Sequence, residues 1–134
     1  MQMALAMISP VSQSTNFAMA AKLLDAAVLR QEAIAANIAN AETPGFRRLD
    51  VSPDFMRELK ASVSRGGGAS SLQHLSPRLV ADEDARSLRS DGNTVEIERE
   101  MLEMNRNTVS YEFLTDYVSG SFKQLKMAIR GRAS

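Results

Sequence analysis

The chain has 134 residues, 16 basic and 16 acidic side chains, a formal net charge of zero and no cysteine. It is sized for one domain, has neither a disulfide framework nor thiolate chemistry, and lacks the positive balance of a protein devoted to nucleic acid. Residues are 44% hydrophobic but only 5% aromatic, with no Trp, so a core has to be built from Ala, Leu, Ile, Val and Met, and zero net charge sets no barrier to self-association.

Residues 1–15 contain Met, Ser and Gln with weak periodicity and are expected to form a flexible tail unless a partner orders them. No basic segment precedes their short apolar run and Pro10 interrupts it, so a cleaved secretory signal is not expected. Nowhere do about 18 apolar residues follow one another, the length a membrane-crossing helix needs.

A first long helix is predicted over 16–42. Phe17, Ala20, Leu24, Ala27, Ala35 and Ile38 recur at steps suited to one helical face, Val28 and Ile34 widen the stripe, and Gln31 is its polar member. About 25 residues at 1.5 Å each make a rod of roughly 38 Å. The many alanines permit close approach by more than one neighbour.

The helix pattern stops at Asn37-Ile38-Ala39-Asn40-Ala41-Glu42-Thr43-Pro44-Gly45-Phe46. Pro44 disfavours helical dihedrals at Thr43, and Pro followed by Gly suits the centre of a type II turn, whose second residue needs positive φ. Asn37 and Asn40 are poor helix formers that suit a last turn.

Residues 43–92 contain this turn and a middle segment punctuated by Ser52-Pro53, Arg65-Gly66-Gly67-Gly68, Ser70-Ser71 and Ser76-Pro77. It reads as an extended Gly/Ser-rich loop with one short helix around Phe55–Leu59 and a small strand pair near Arg78–Val80.

A second long helix is predicted over 93–130, followed by a tail at 131–134. Ile97, Met101, Met104, Thr108, Tyr111, Thr115, Val118, Phe122, Leu125 and Ile129 alternate steps of four and three, the spacing of a coiled-coil seam. Asp91-Gly92 supplies a turn before it, and Asn93 with Glu96 three residues on has the form of a capping box. Glu96, Glu98 and Glu100 sit at the positive dipole end, and Lys123, Lys126 and Arg130 at the other. In so small a chain two such helices can cover each other along one stripe only. Every further apolar side chain buried on association contributes about 1.5–3 kcal/mol, so lateral assembly can dominate stability.

Chemistry is hard to place. His74, the only histidine, lies in a Ser-flanked loop, and no Cys-His, Ser-His-Asp or His-x-x-x-His spacing accompanies it. Glu96, Glu100 and Glu103, and the run Asp82-Glu83-Asp84, read as solvated faces. The Gly66–Gly68 run lacks the Lys-Ser/Thr of a phosphate loop. Arg47, Arg48, Arg65, Arg78, Arg86 and Arg89 lack interleaved aromatics and read as partners for acidic neighbouring subunits. No catalytic residue, cofactor, metal, nucleic acid or small-molecule substrate is assigned, and the chain is expected not to be an enzyme.

The run Asn37 to Phe46 resembles the N-terminal signature of the bacterial flagellar axial proteins, the rod and hook subunits. Asp91-Gly92-Asn93-Thr94-Val95, ahead of a helix containing Tyr111-Glu112, resembles the turn opening the C-terminal helix in the proximal rod members of that family, and the middle segment is too short for the outer domain that hook and distal rod proteins insert. The second helix departs from the pattern in being rich in Met and Thr where Ala is expected. The resemblance implies an all-α fold: an antiparallel, coiled-coil-like pair of terminal helices lining a tube, with an irregular, loop-rich middle. It also implies a structural subunit of the basal-body rod, in a hollow shaft that transmits torque and conducts exported axial subunits. Its partners would be copies of itself, other rod proteins, the membrane-ring and export-gate base, and the type III export apparatus, and its place the periplasmic space. Phe17, Leu24, Ile38, Met104, Tyr111, Val118, Phe122, Leu125 and Ile129 are the expected interface. A soluble helical adaptor or chaperone working through coiled-coil contacts is the rival reading of the same heptads.

Overall fold

The computed structural model describes residues 10–86 and 89–133. In chain order the elements are α1 (Pro10–Ala39), β1 (Leu49–Val51), α2 (Pro53–Ser64), α3 (Ala69–Leu72), β2 (Leu79–Ala81) and α4 (Ile97–Ala133). The architecture is all-α, two long terminal helices packed together around a loop-rich middle with two short strands. Asn107 of α4 donates to the Ala27 carbonyl, while Asn37 donates to Glu100. Moving back along α1 therefore moves forward along α4, which makes the pair antiparallel.

α1 opens at Pro10 rather than near Asn16, because proline is well suited to the first turn of a helix and the Ser, Gln and Thr that follow do not break one. Residues 10–15, expected in a tail, are thus its first turns, and residues 1–9 lie outside the described residues. With 30 residues α1 is about 45 Å long, and α4, with 37, about 55 Å. α4 starts at Ile97, four residues later than expected, and runs past Arg130 to Ala133. Its ladder begins with the Glu100 N–H donating to the Glu96 carbonyl at 3.0 Å. Asn93 therefore lies ahead of the helix instead of capping it.

The middle segment is more ordered than an extended loop. β1 and β2 pair antiparallel in the register Leu49↔Ala81, Asp50↔Val80, Val51↔Leu79. α2 begins with Pro53 after Ser52, whose Oγ accepts from the Asp54 N–H at 3.3 Å. One helical turn separates Phe55 from Leu59, and both are buried with Leu72, Val51 and Ala26 in one apolar cluster. Met19, Leu23 and Leu29 of α1 pack against it. The apolar core thus lies between α1 and the middle segment, and the sequence pattern did not place it there.

α4 leaves most of its large apolar side chains out of any core. Among its described side chains Glu100 and Asn107, seven positions apart, are buried, and Glu103, Met104, Leu114, Thr115, Val118 and Ser121 are half-buried. The stripe turned toward α1 is therefore largely polar.

Candidate functional site

Both motifs are turns, and they are fastened to each other. In Thr43-Pro44-Gly45-Phe46 the Phe46 N–H donates to the Thr43 carbonyl at 3.2 Å and Gly45 has φ +73°, the type II geometry that Pro followed by Gly favours. Gly92 also has positive φ, and a Cβ built on it would come within 3.8 Å of the Gly45 Cα, so the turns touch.

Backbone bonds join them: the Gly45 N–H donates to the Asp91 carbonyl at 2.8 Å and the Thr94 N–H to the Phe46 carbonyl at 3.1 Å. Asn93, buried, donates through Nδ2 to the carbonyls of Asn40 (2.9 Å) and Thr43 (2.8 Å), while its Oδ1 accepts from the Val95 N–H at 2.8 Å. Asp91 Oδ1 accepts from the Asn93 N–H at 3.0 Å. The Arg89 guanidinium donates to the Ala41 carbonyl and bonds Asp91 at 3.0 Å and Glu42 at 3.4 Å. Ala41 and Val95 are buried at this junction, and Asn40 closes the end of α1 by donating through Nδ2 to Ala36 and accepting from the Thr43 hydroxyl.

Under the clasp lies a buried ion cluster. Arg48 is 1% exposed and Glu100 0%, with Arg48 Nε 2.5 Å from Glu100 Oε1. Arg48 Nη1 reaches Asp50 at 3.1 Å and Asp82 at 3.0 Å. Arg30 meets Asp50 at 3.0 Å, and Arg99 lies 3.5 Å from Asp82. Asn37, also buried, exchanges bonds with the Leu49 backbone, donating to its carbonyl (2.9 Å) and accepting from its N–H (2.8 Å), and gives its other amide hydrogen to Glu100 Oε2 at 3.1 Å. The Arg48 N–H donates to Thr94 Oγ1 at 2.7 Å. Removing a guanidinium and carboxylates from water is costly unless each is paired and hydrogen-bonded. Burial opposes the charge on Arg48, but the bonds and fields of Glu100 and Asp50 prevail and raise its pKa further. Asp50 is likewise pushed up by burial, yet the Val51 N–H, Arg30 and Arg48 hold its carboxyl below the usual value.

This arrangement corrects two sequence expectations. Glu100 and Asp82 belong to no solvated face, since Arg48 draws both inward. Arg48 and Arg89 are matched to acids of their own chain rather than left for neighbouring subunits. The apolar stripe of α4 overlaps its seam with α1 only in part: Met104, Thr115 and Val118 are half-buried, while Tyr111, Phe122, Leu125 and Ile129 are exposed. On α1, Phe17 and Ile38 are exposed and Leu24 half-buried. Of the remaining motif residues, Ala39, Thr43, Pro44 and Gly45 lie at the surface and Phe46 is half-buried. Among the described residues no group of His, Cys, Asp and Glu could hold a metal, and His74 is exposed.

What the site can do is mechanical. One end of the helix pair is fixed by paired charges and interlocked turns, and along α4 Val109, Phe113, Phe122, Leu125, Met127 and Ile129 stand bare, Leu125 at 58% exposure. No described helix is long and apolar enough to cross a membrane. Those features are those of a structural subunit.

Known proteins agree. A family model described as flagella basal body rod protein matches residues 17–47. The flagellar basal body rod protein FlgB of Escherichia coli (strain K12) is 35% identical over 109 residues, covering 70% of this chain and 78% of that protein. FlgB of Bacillus subtilis (strain 168) is 30% identical over 116 residues, covering 81% and 88%, and FlgB of Buchnera aphidicola subsp. Acyrthosiphon pisum is 27% identical over 137 residues, covering 93% and 100%. The chain belongs to the FlgB family of flagellar basal body rod proteins. It is a structural subunit of the proximal rod, placed in the flagellar basal body with other components of that machine.

Proposed function

We propose that the chain assembles helically, through contacts with copies of itself and with other rod proteins, into a hollow shaft that transmits torque and conducts exported axial subunits. The observation that carries this reading is the exposed apolar surface of α4, including Phe113, Phe122, Leu125 and Ile129, a liability in a protein that works alone and a source of free energy in one that assembles. Heterologous contacts repeated by a screw operation build an open tube. The clasp formed by Asn37 to Phe46 with Asp91 to Val95 sets the angle at which the middle segment leaves the helix pair. Phe17, Leu24, Ile38, Met104, Tyr111, Val118, Phe122, Leu125 and Ile129 supply the contacts. The chain works without catalysis. It reaches the periplasmic part of the rod by the flagellar type III route, and its base meets the membrane ring and export gate. Imaging of purified basal bodies carrying a labelled chain is expected to place density at the membrane-proximal end of the rod; label confined to the distal rod or the hook refutes the reading.

A further inference from the structure

The helix pair carries an open groove of about 450 Å³ on one side. Ala27, Val28, Glu32 and Ala35 form its α1 wall, and Thr108 and Tyr111 its α4 wall. The surface is mainly apolar, no basic residue lines it, and Asp25 and Glu112 stand exposed on the same helices within a turn or two of its walls. The far end of α4 is its complement. Phe122, Leu125 and Ile129 fall at i, i+3 and i+7, the spacing of a helix that inserts one face into a groove. Lys123, Lys126 and Arg130 are exposed among them, and no acidic residue occurs from Tyr117 to the C-terminal Ser134. Lys126 also lies over the Phe122 ring, 5.2 Å from its centroid, so positive charge and apolar surface share one face.

Resting on the rod reading above, we infer that this groove receives the cationic distal end of α4 from a second copy of the chain. An acid-edged apolar groove and a base-edged apolar ridge on one molecule are complementary to each other and not to themselves. In the rod the contact is heterologous, joining successive copies head to tail, whereas a reciprocal two-fold pairing would stop at a crosslinked dimer. Groove and ridge centres lie about 17 residues, roughly 25 Å, apart along α4, so one copy can offer its ridge while its own groove stays open. Charge across the contact fixes its register and disfavours ridge-on-ridge pairing.

Because the chain has no cysteine, the contact can be trapped cleanly. In purified basal bodies, a chain carrying Glu32→Cys together with Lys126→Cys should give a ladder of dimers and higher species with a short bismaleimide, about tenfold above either single-cysteine chain. Crosslinking of the Lys126→Cys chain to itself at the same level overturns the proposal in favour of a symmetric ridge contact. No ladder from a chain present in basal bodies overturns groove docking and leaves rod membership standing, whereas absence of the wild-type chain from basal bodies removes both. Charge reversal supplies an independent readout: Glu32→Lys should lower incorporation, and adding Lys126→Glu to it should restore incorporation. A double variant no better than the single one also overturns the proposal.

Discussion

The two ends of the helix pair are built on opposite rules. Where α1 ends and α4 begins, the largest buried groups are charged or amide side chains, Arg48, Glu100, Asn37 and Asn93, with Ala41 and Val95 between them. Toward the other end of α4, from Ser119 onward, every side chain described is exposed except half-buried Ser121, and Phe122, Leu125, Met127 and Ile129 are among the bare ones. Buried polar groups demand one geometry, since each tolerates only the partner that satisfies it. Bare apolar side chains demand only to be covered. One end of the subunit therefore sets shape, and the other supplies driving force for assembly.

If that division holds, breaking the ion cluster should cost the most. Glu100→Ala leaves Arg48 buried beside a cavity with only the more peripheral Asp50 and Asp82, and the loss expected for such a stranded charge is about 3–5 kcal/mol. Urea unfolding of the full chain measures it. The double variant Arg48→Met, Glu100→Leu should recover much of the loss, because a well-packed apolar pair replaces a buried ion pair at little cost. If Glu100→Ala unfolds at the same midpoint as wild type, the cluster is not what holds this end together.

Asn93→Ala tests the clasp rather than the charges. It strips a donor from the Asn40 and Thr43 carbonyls and an acceptor from the Val95 N–H. Leaving such buried groups unsatisfied costs about 1–3 kcal/mol, smaller than the cluster because nearby backbone can relax toward water. Hydrogen exchange should show the loss concentrated around Asn40–Phe46; uniform loss along α1 would contradict a local clasp.

These two sites also mark the limit of what the sequence reveals. The Thr43–Phe46 turn was legible because its cause is local: a ring that fixes φ and a glycine that accepts φ +73°. Asn93 was legible as a special residue but misassigned, since a capping box and a side chain reaching back some 50 residues look identical in one dimension. Arg48 and Glu100 were illegible, being 52 positions apart, each unremarkable until the other removes it from water. Periodicity revealed that α4 has a 4-3 apolar stripe but not which surface covers it. The stripe facing α1 is marked instead by Glu100 and Asn107, whose polarity hides it from any hydrophobic count. The apolar core escaped for another reason: Val51, Phe55, Leu59 and Leu72 sit in elements of 3, 12 and 4 residues, too short for a periodic signal to stand out.

Acid should weaken the clasp end selectively. Burial favours the neutral form of Asp50, but the Val51 N–H, Arg30 and Arg48 outweigh it, so the folded carboxyl titrates below its ordinary value of 3.8. A depressed folded pKa means that the stabilisation is present in full above the unfolded value and is lost as pH falls through the folded one. The stability gap between wild type and Asp50→Asn should therefore be constant from pH 7 to about 5 and shrink below about 4. A gap that stays level down to pH 3 would show that Asp50 carries no such shift.

The smallest effect on folding belongs to the bare end. Leu125→Asp places a charge where the side chain is already 58% exposed, and exposed substitutions away from special features usually change stability by no more than about 0.5 kcal/mol. Its α4 surroundings are basic, with Lys123, Lys126 and Arg130 nearby, so the isolated chain should unfold at nearly the wild-type midpoint. Incorporation into rods should fail all the same, because an interface that covers Leu125 would have to bury a carboxylate. Comparing the urea midpoint with the amount of variant recovered in purified basal bodies separates the two ends in one experiment. A lowered midpoint would mean that Leu125 already serves the fold of the single chain, and normal recovery would mean that no neighbour rests on it.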